Sequence, residues 1–142
     1  MAGERFDEIA ENFELFDDWE ERYRYVIELG REMPALPEER RTPATKVEGC
    51  ASQVWLVPDV RPSPEGPRLY FQGDSDAMIV RGLISILITL ISGRRLEDIR
   101  AMDIRGQLAR LHLDQALSSQ RSNGLRAMVG RIEDIARASQ AA

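Results

Sequence analysis

Apolar positions in the first thirty residues recur at helical intervals. Phe6, Ile9, Phe13 and Phe16 are three, four and three residues apart, which places them on one face of a helix. Asp17 and Asp18 then offer an N-cap for a second helix, with Glu21 three residues after Asp18 as a capping-box partner. Trp19, Tyr23, Val26 and Ile27 make the apolar stripe of that helix, and Gly30 stands where its C-cap is expected. Pro34, Pro37 and Pro43 predict a loop from Met33 to Thr45 with room for one helical turn.

From Lys46 the pattern changes. Val47 and then Val54, Trp55, Leu56 and Val57 read as strand, stopped by Pro58 and interrupted by the small residues of Glu48-Gly49-Cys50-Ala51-Ser52. Arg61 to Pro67, with three prolines and a glycine, reads as a hairpin connection. Arg68 to Gly73 is then the return strand, with Tyr70 and Phe71 on opposite faces. Asp74, Ser75 and Asp76 supply a helix cap for the most hydrophobic stretch of the chain, Ile79 to Ile91. Its length and the closing Gly93 favour a buried central helix over a strand. A short helix is expected within Arg94 to Arg105 around Leu96 and Ile99. Gln107 to Leu117 is ambiguous. A last helix starts near Ser118 or Ser119, with Leu125, Met128, Val129, Ile132, Ile135 and Ala136 on its apolar face. Helices, a small antiparallel sheet of about three strands, then helices again define an α+β domain with helices packed on one face of the sheet.

Charge narrows the function classes. The 142 residues carry 19 basic and 24 acidic side chains, a net charge of −5, and the acidic excess falls in the first fifty residues. That distribution argues against a phosphate-backbone binder, so no nucleic-acid partner is expected. The length suits a single domain over 1–142. The longest uncharged run, Gly82 to Gly93, is 12 residues, against ~20 for a membrane-spanning helix. The acidic start of the chain does not resemble a secretory signal, so a cytoplasmic protein with no membrane partner is expected.

One cysteine, Cys50, and one histidine, His112, limit the chemistry. They exclude an intrachain disulfide and a CxxC pair, and fall short of the four Cys or His ligands of a structural zinc. No metal or cofactor is expected. Cys50 reads either as a small core residue or as a reactive thiol, its break between strand segments and its small neighbours favouring approach by another protein. Lys46 favours the thiolate and Glu48 opposes it, which leaves the electrostatic argument neutral. His112 is the only histidine available as a base for a Cys–His hydrolase, but nothing in the sequence links it to Cys50. Asp74 and Asp76 have a structural use as cap residues, and Arg121 is either a solvated helix-start arginine or an anion clamp.

Gly49-Cys50-Ala51-Ser52-Gln53-Val54-Trp55 resembles the GCxSxVW signature of the SufE family, the sulfur-acceptor partners of cysteine desulfurases. Three further motifs follow the family in order: Trp19 to Gly30, Gly73-Asp74-Ser75-Asp76-Ala77 with Ile79 to Leu83, and Ser119 to Leu125. The resemblance implies a fold shared with iron–sulfur scaffold proteins, without the three cysteines that a scaffold uses. It implies that Cys50 takes persulfide sulfur from a desulfurase that uses pyridoxal phosphate. The sulfur then passes to a downstream iron–sulfur scaffold complex. The protein would have no turnover of its own and would stimulate the desulfurase. It further implies an apolar hollow that shelters the sulfur, with Val54, Trp55 and the central-helix aliphatics as candidate lining. The loop from Val47 to Ser52 would move on docking, with Gly49, Ala51, Ser52, Gln53, Asp74 and Arg121 as candidate docking or gating residues. A helical interaction module with a structural cysteine is the alternative from the residues alone.

Overall fold

The computed structural model of the protein describes residues 2–113 and 116–138. The most apolar segment forms the centre. Helix α3 (Met78–Ile91) has nine buried residues in its fourteen, so the rest of the chain packs around it. Helices α1 (Ala2–Glu14) and α2 (Trp19–Glu32) lie against it. Phe6, Ile9, Ala10 and Phe13 of α1 are buried, as their spacing predicts. Asp18 caps α2 by accepting from the Glu21 N–H at 2.8 Å. Trp19 is not part of the buried stripe: it is 53% exposed, its ring edge against Tyr23.

Gly30 does not end α2, which continues to Glu32. Its role is close approach. A Cβ at Gly30 would stand 2.6 Å from the Met78 carbonyl oxygen, and one at Gly82 would overlap the Val26 carbonyl. The two glycines let the backbones of α2 and α3 meet where no side chain fits.

The sheet has the order β1-β2-β3, with β1 (Val54–Arg61) antiparallel to β2 (Arg68–Ser75) and β2 antiparallel to β3 (Arg94–Arg95). Pro58 does not stop β1. It pairs with Phe71, whose N–H turns away from β1 to the Ser92 hydroxyl at 3.3 Å. The missing N–H of Pro58 therefore faces the outer side of an edge strand, where no ladder bond is lost. Val47 contributes no full strand. Its N–H reaches the Val54 carbonyl at 2.8 Å beside an isolated Lys46–Trp55 bridge. The third strand comes instead from Arg94 and Arg95, inside a segment expected to be helix. The turn at Gly93 (φ 92°) redirects the chain after α3, and its N–H bonds the Leu69 carbonyl at 2.7 Å.

Two short helices follow, α4 (Leu96–Ala101) and α5 (Ile104–Ala109), the second capped by Asp103 through the Gly106 N–H. Leu108, Leu111 and Leu113 are buried, which resolves most of the ambiguous Gln107 to Leu117 segment; Asp114 and Gln115 lie outside the described residues. Helix α6 (Ser119–Ala138) closes the fold with Met128, Val129, Ile132 and Ala136 buried and Leu125 and Ile135 half-buried.

Asp74 and Ser75 are strand residues, not a helix cap. They end β2, and the residue before α3, Ala77, makes no side-chain capping bond. The capping expectation fails because Asp74 is fully buried and engaged elsewhere. Its carboxylate accepts from the Leu36 N–H at 2.9 Å, the Ser75 N–H at 2.8 Å, Arg41 at 2.7 Å and Arg81. Arg81 also donates to the carbonyls of Gly30 and Met33. One buried carboxylate thus ties the end of α2, the proline-rich loop, β2 and α3 together.

Candidate functional site

The site is a short loop held between two fixed points. On one side Val47 is buried and bonded to Val54. On the other, Gln53 is clamped to the end of β2. Its N–H donates to Asp76 Oδ1 at 3.0 Å, and its carbonyl accepts from the Ser75 hydroxyl at 2.7 Å and the Asp76 N–H at 3.4 Å. Between these anchors the chain turns at Gly49, whose φ of 88° is a left-handed conformation favouring glycine. The turn carries Cys50 onto the start of α6.

The α6 N-terminus is shaped to receive it. Ser118 accepts from the Arg121 N–H at 3.2 Å, as an N-cap does. Arg121 Nη1 donates to the Ser52 hydroxyl. The Cys50 thiol lies 3.7 Å from the Gly124 carbonyl oxygen, within reach of a weak S–H donation. Gly124 is buried against the thiol: a Cβ there would stand 3.7 Å from Sγ, an ordinary van der Waals contact. Cys50, Val54, Val80, Leu83 and Met128 line an apolar hollow of ≈ 10 Å³, with Ala51, Ser52, Gln120, Arg121 and Gly124 at its sides. That is space for about one water-sized atom.

The thiol is half-buried, and its environment is not neutral. Burial, and then the Glu48 carboxylate, push the Cys50 pKa above its ordinary value. The balance expected between Lys46 and Glu48 is tipped toward the protonated thiol. The pH midpoint of Cys50 alkylation in the free protein is accordingly expected to lie above the ordinary thiol value of about 8.5. Glu48→Gln is expected to move that midpoint down. A pH series of iodoacetamide labelling checks both, and equal midpoints would remove Glu48 from the account.

Asp74 keeps its charge although burial opposes it. The N–H groups of Leu36 and Ser75 and the Arg81 guanidinium outweigh desolvation and hold its carboxyl below the usual range. It is not in the hollow.

The structure brings together Gly49, Cys50, Ala51, Ser52, Gln53 and Arg121, and places Asp76 behind Gln53. It leaves His112 apart. That residue is exposed in a turn at φ 49° and does not line the hollow, so no Cys–His pair forms. Val54 and the central-helix residues Val80 and Leu83 line the hollow as expected, whereas Trp55 does not and lies under the Arg41 guanidinium instead. Sequence reasoning missed Gly124 and Met128 as neighbours of the thiol. The one local signal was a glycine inside a helix, a costly choice that asks for a packing reason. A far larger cleft of ≈ 1160 Å³, between α1, α2 and the sheet, shares no lining residue with the Cys50 hollow. Among the described residues no group of three or more His, Cys, Asp or Glu side chains is placed to hold a metal ion. None of the described helices is long and apolar enough to cross a membrane.

A family model described as SufE, Fe-S metabolism associated domain, matches residues 7–136. The chain is 53% identical over 136 residues to an uncharacterized SufE-like protein of Rhizobium etli, covering 96% of this chain and 92% of that one. It is 50% identical over 127 residues to an uncharacterized SufE-like protein of Rhizobium meliloti, covering 89% and 91%. The fold is also that of the solution structure of a hypothetical protein from Thermus thermophilus, with a TM-score of 0.72, 20% identity and 96% of each chain covered. These findings define a class, the α+β domains associated with iron–sulfur metabolism. Within it, the chain belongs to the SufE family.

Proposed function

We propose that the protein is a sulfur acceptor and carrier. It takes sulfur from the persulfide of a pyridoxal-phosphate-dependent cysteine desulfurase onto Cys50, stimulates that enzyme, and passes the sulfur to a cytoplasmic iron–sulfur scaffold complex. The observation that carries this reading is the hollow beside Cys50, apolar and sized for about one atom, at the end of a short turn.

The step is thiol exchange on a sulfur–sulfur bond. The Cys50 thiolate attacks the terminal sulfur of the donor persulfide, a new S–S bond forms, and the old one breaks. The donor cysteine leaves as a thiolate and takes up the proton that Cys50 released, so no outside oxidant or reductant is needed. Cys50 is the chain's single cysteine, so no second thiol within the chain can attack the new persulfide and discharge it early. The apolar lining keeps hydrophilic reductants from the carried sulfur. Partner docking has to turn residues 48–52 outward, because the thiol faces Gly124 at rest. Gly49 supplies the backbone freedom, Gln53 stays clamped, and Arg121 has to release Ser52.

Stimulation is the test of this reading that does not depend on isolating the persulfide. Adding the protein to a desulfurase with free cysteine is expected to raise alanine formation saturably, by relieving the enzyme of its bound sulfur. Unchanged turnover at saturating protein would favour an interaction module with a structural cysteine.

A further inference from the structure

The segment from Ala44 to Ser52 runs alongside α6. Arg131 donates to the Ala44 carbonyl at 2.8 Å, a side chain at Gly49 would stand 3.5 Å from Ala127 Cβ, and Arg121 donates to Ser52. The seam thus follows α6 for ten residues, about 15 Å at the rise of an α-helix. Its charges are unusual for this chain. Residues 119–132 contain Arg121, Arg126 and Arg131 and no carboxylate, and residues 42–53 contain Lys46 against the single carboxylate Glu48.

These cations are also uncompensated. The ion pairs among the described residues lie elsewhere, on arginines such as Arg41, Arg61, Arg81, Arg95 and Arg105. Arg121, Arg126 and Arg131 donate instead to neutral oxygens, those of Ser52, Asn123 and Ala44. A guanidinium bonded to a neutral oxygen retains its attraction for a carboxylate, and the charged bond is the stronger one. A chain of net charge −5 therefore presents a local positive surface beside its thiol loop.

We infer that the seam of Lys46, Arg121 and Arg131 is the docking surface for carboxylates on the desulfurase around its persulfide-bearing cysteine. This rests on the proposed sulfur transfer and names the chemistry of its partner. A partner carboxylate that takes Arg121 displaces the Ser52 hydroxyl and removes a bond that holds the loop shut, so docking and opening are one event. Arg126 serves as the control, because its place on the helix lies away from the seam: it is five residues from both Arg121 and Arg131, well over a quarter-turn out of line with each.

The test measures binding of the full-length protein to a desulfurase, against salt concentration, for wild type, Lys46→Glu/Arg131→Glu and Arg126→Glu. Steering by exposed charges is salt-dependent and sensitive to charge reversal. The double variant is expected to bind at least about tenfold more weakly at low salt, with a flatter salt dependence, and Arg126→Glu to bind as wild type does. Lys46→Gln/Arg131→Gln, measured with thermal unfolding alongside, covers the case in which charge reversal disturbs the fold; it is expected to lose part of the affinity. Equal binding by the wild type and both double variants, or equal losses in Arg126→Glu, would overturn the surface while wild-type sulfur uptake leaves the carrier role standing. Failure of the wild type to bind or take sulfur would overturn both.

Discussion

Cys50→Ser is expected to abolish sulfur uptake while leaving the fold and desulfurase binding in place. The hydroxyl sits on a shorter bond than the thiol, which lies 3.7 Å from the Gly124 carbonyl, and at this half-buried turn it keeps access to water. The exchange at a half-buried turn should therefore change stability by no more than about 1 kcal/mol, the scale of one hydrogen bond. Sulfur uptake is different in kind, because a hydroxyl cannot form the new sulfur–sulfur bond and the chain has no other thiol. Binding and uptake measured separately on the same sample distinguish a lost nucleophile from a lost fold. A serine variant that relieved the enzyme of persulfide as fast as wild type would remove Cys50 from the mechanism.

The second large effect lies away from the thiol. Asp74→Ala is expected to destabilise the protein by about 3–5 kcal/mol, the range for removing one partner of a buried ion pair. The change strands Arg81, whose side chain is 14% exposed, and leaves the Leu36 and Ser75 N–H groups without their acceptor. Urea unfolding midpoints measure the loss; a value under about 1 kcal/mol would contradict the role given to the network. The pH dependence has a definite sign. The folded carboxyl is held below its unfolded value of about 3.9, so its contribution is complete above that pH and is lost as pH falls through the lowered folded value. The alanine variant should therefore lose less stability on acidification than the wild type.

Asp74 also illustrates where the sequence misleads. A run of Asp-Ser-Asp before a long apolar stretch satisfies every local rule for a helix cap. The rule loses because Arg41 and Arg81, 33 and 7 residues away, converge on that carboxylate. Pro58 misleads for a related reason: proline breaks a central strand, but its position on the sheet edge is decided by which strands pair. Arg94 and Arg95 read as helix because a two-residue strand has no periodicity. Gly30 has the residue type of a C-cap, but the approach of α3 sets its use. What is legible rests on longer patterns. The α1 stripe, the hairpin and the central helix each follow from repeated apolar spacing, and the thiol loop from a motif of adjacent residues. The hollow is legible only through the family resemblance, because its walls come from β1, α3 and α6.

The central claim is that Cys50 carries one sulfur atom. The most direct measurement is the intact mass of the protein, and of the peptide containing Cys50, after incubation with a desulfurase and free cysteine without reductant. The expected result is an added mass of about 32 Da, one sulfur, on Cys50 that is lost on treatment with dithiothreitol. Active desulfurase turning over beside the protein with Cys50 unmodified would contradict it.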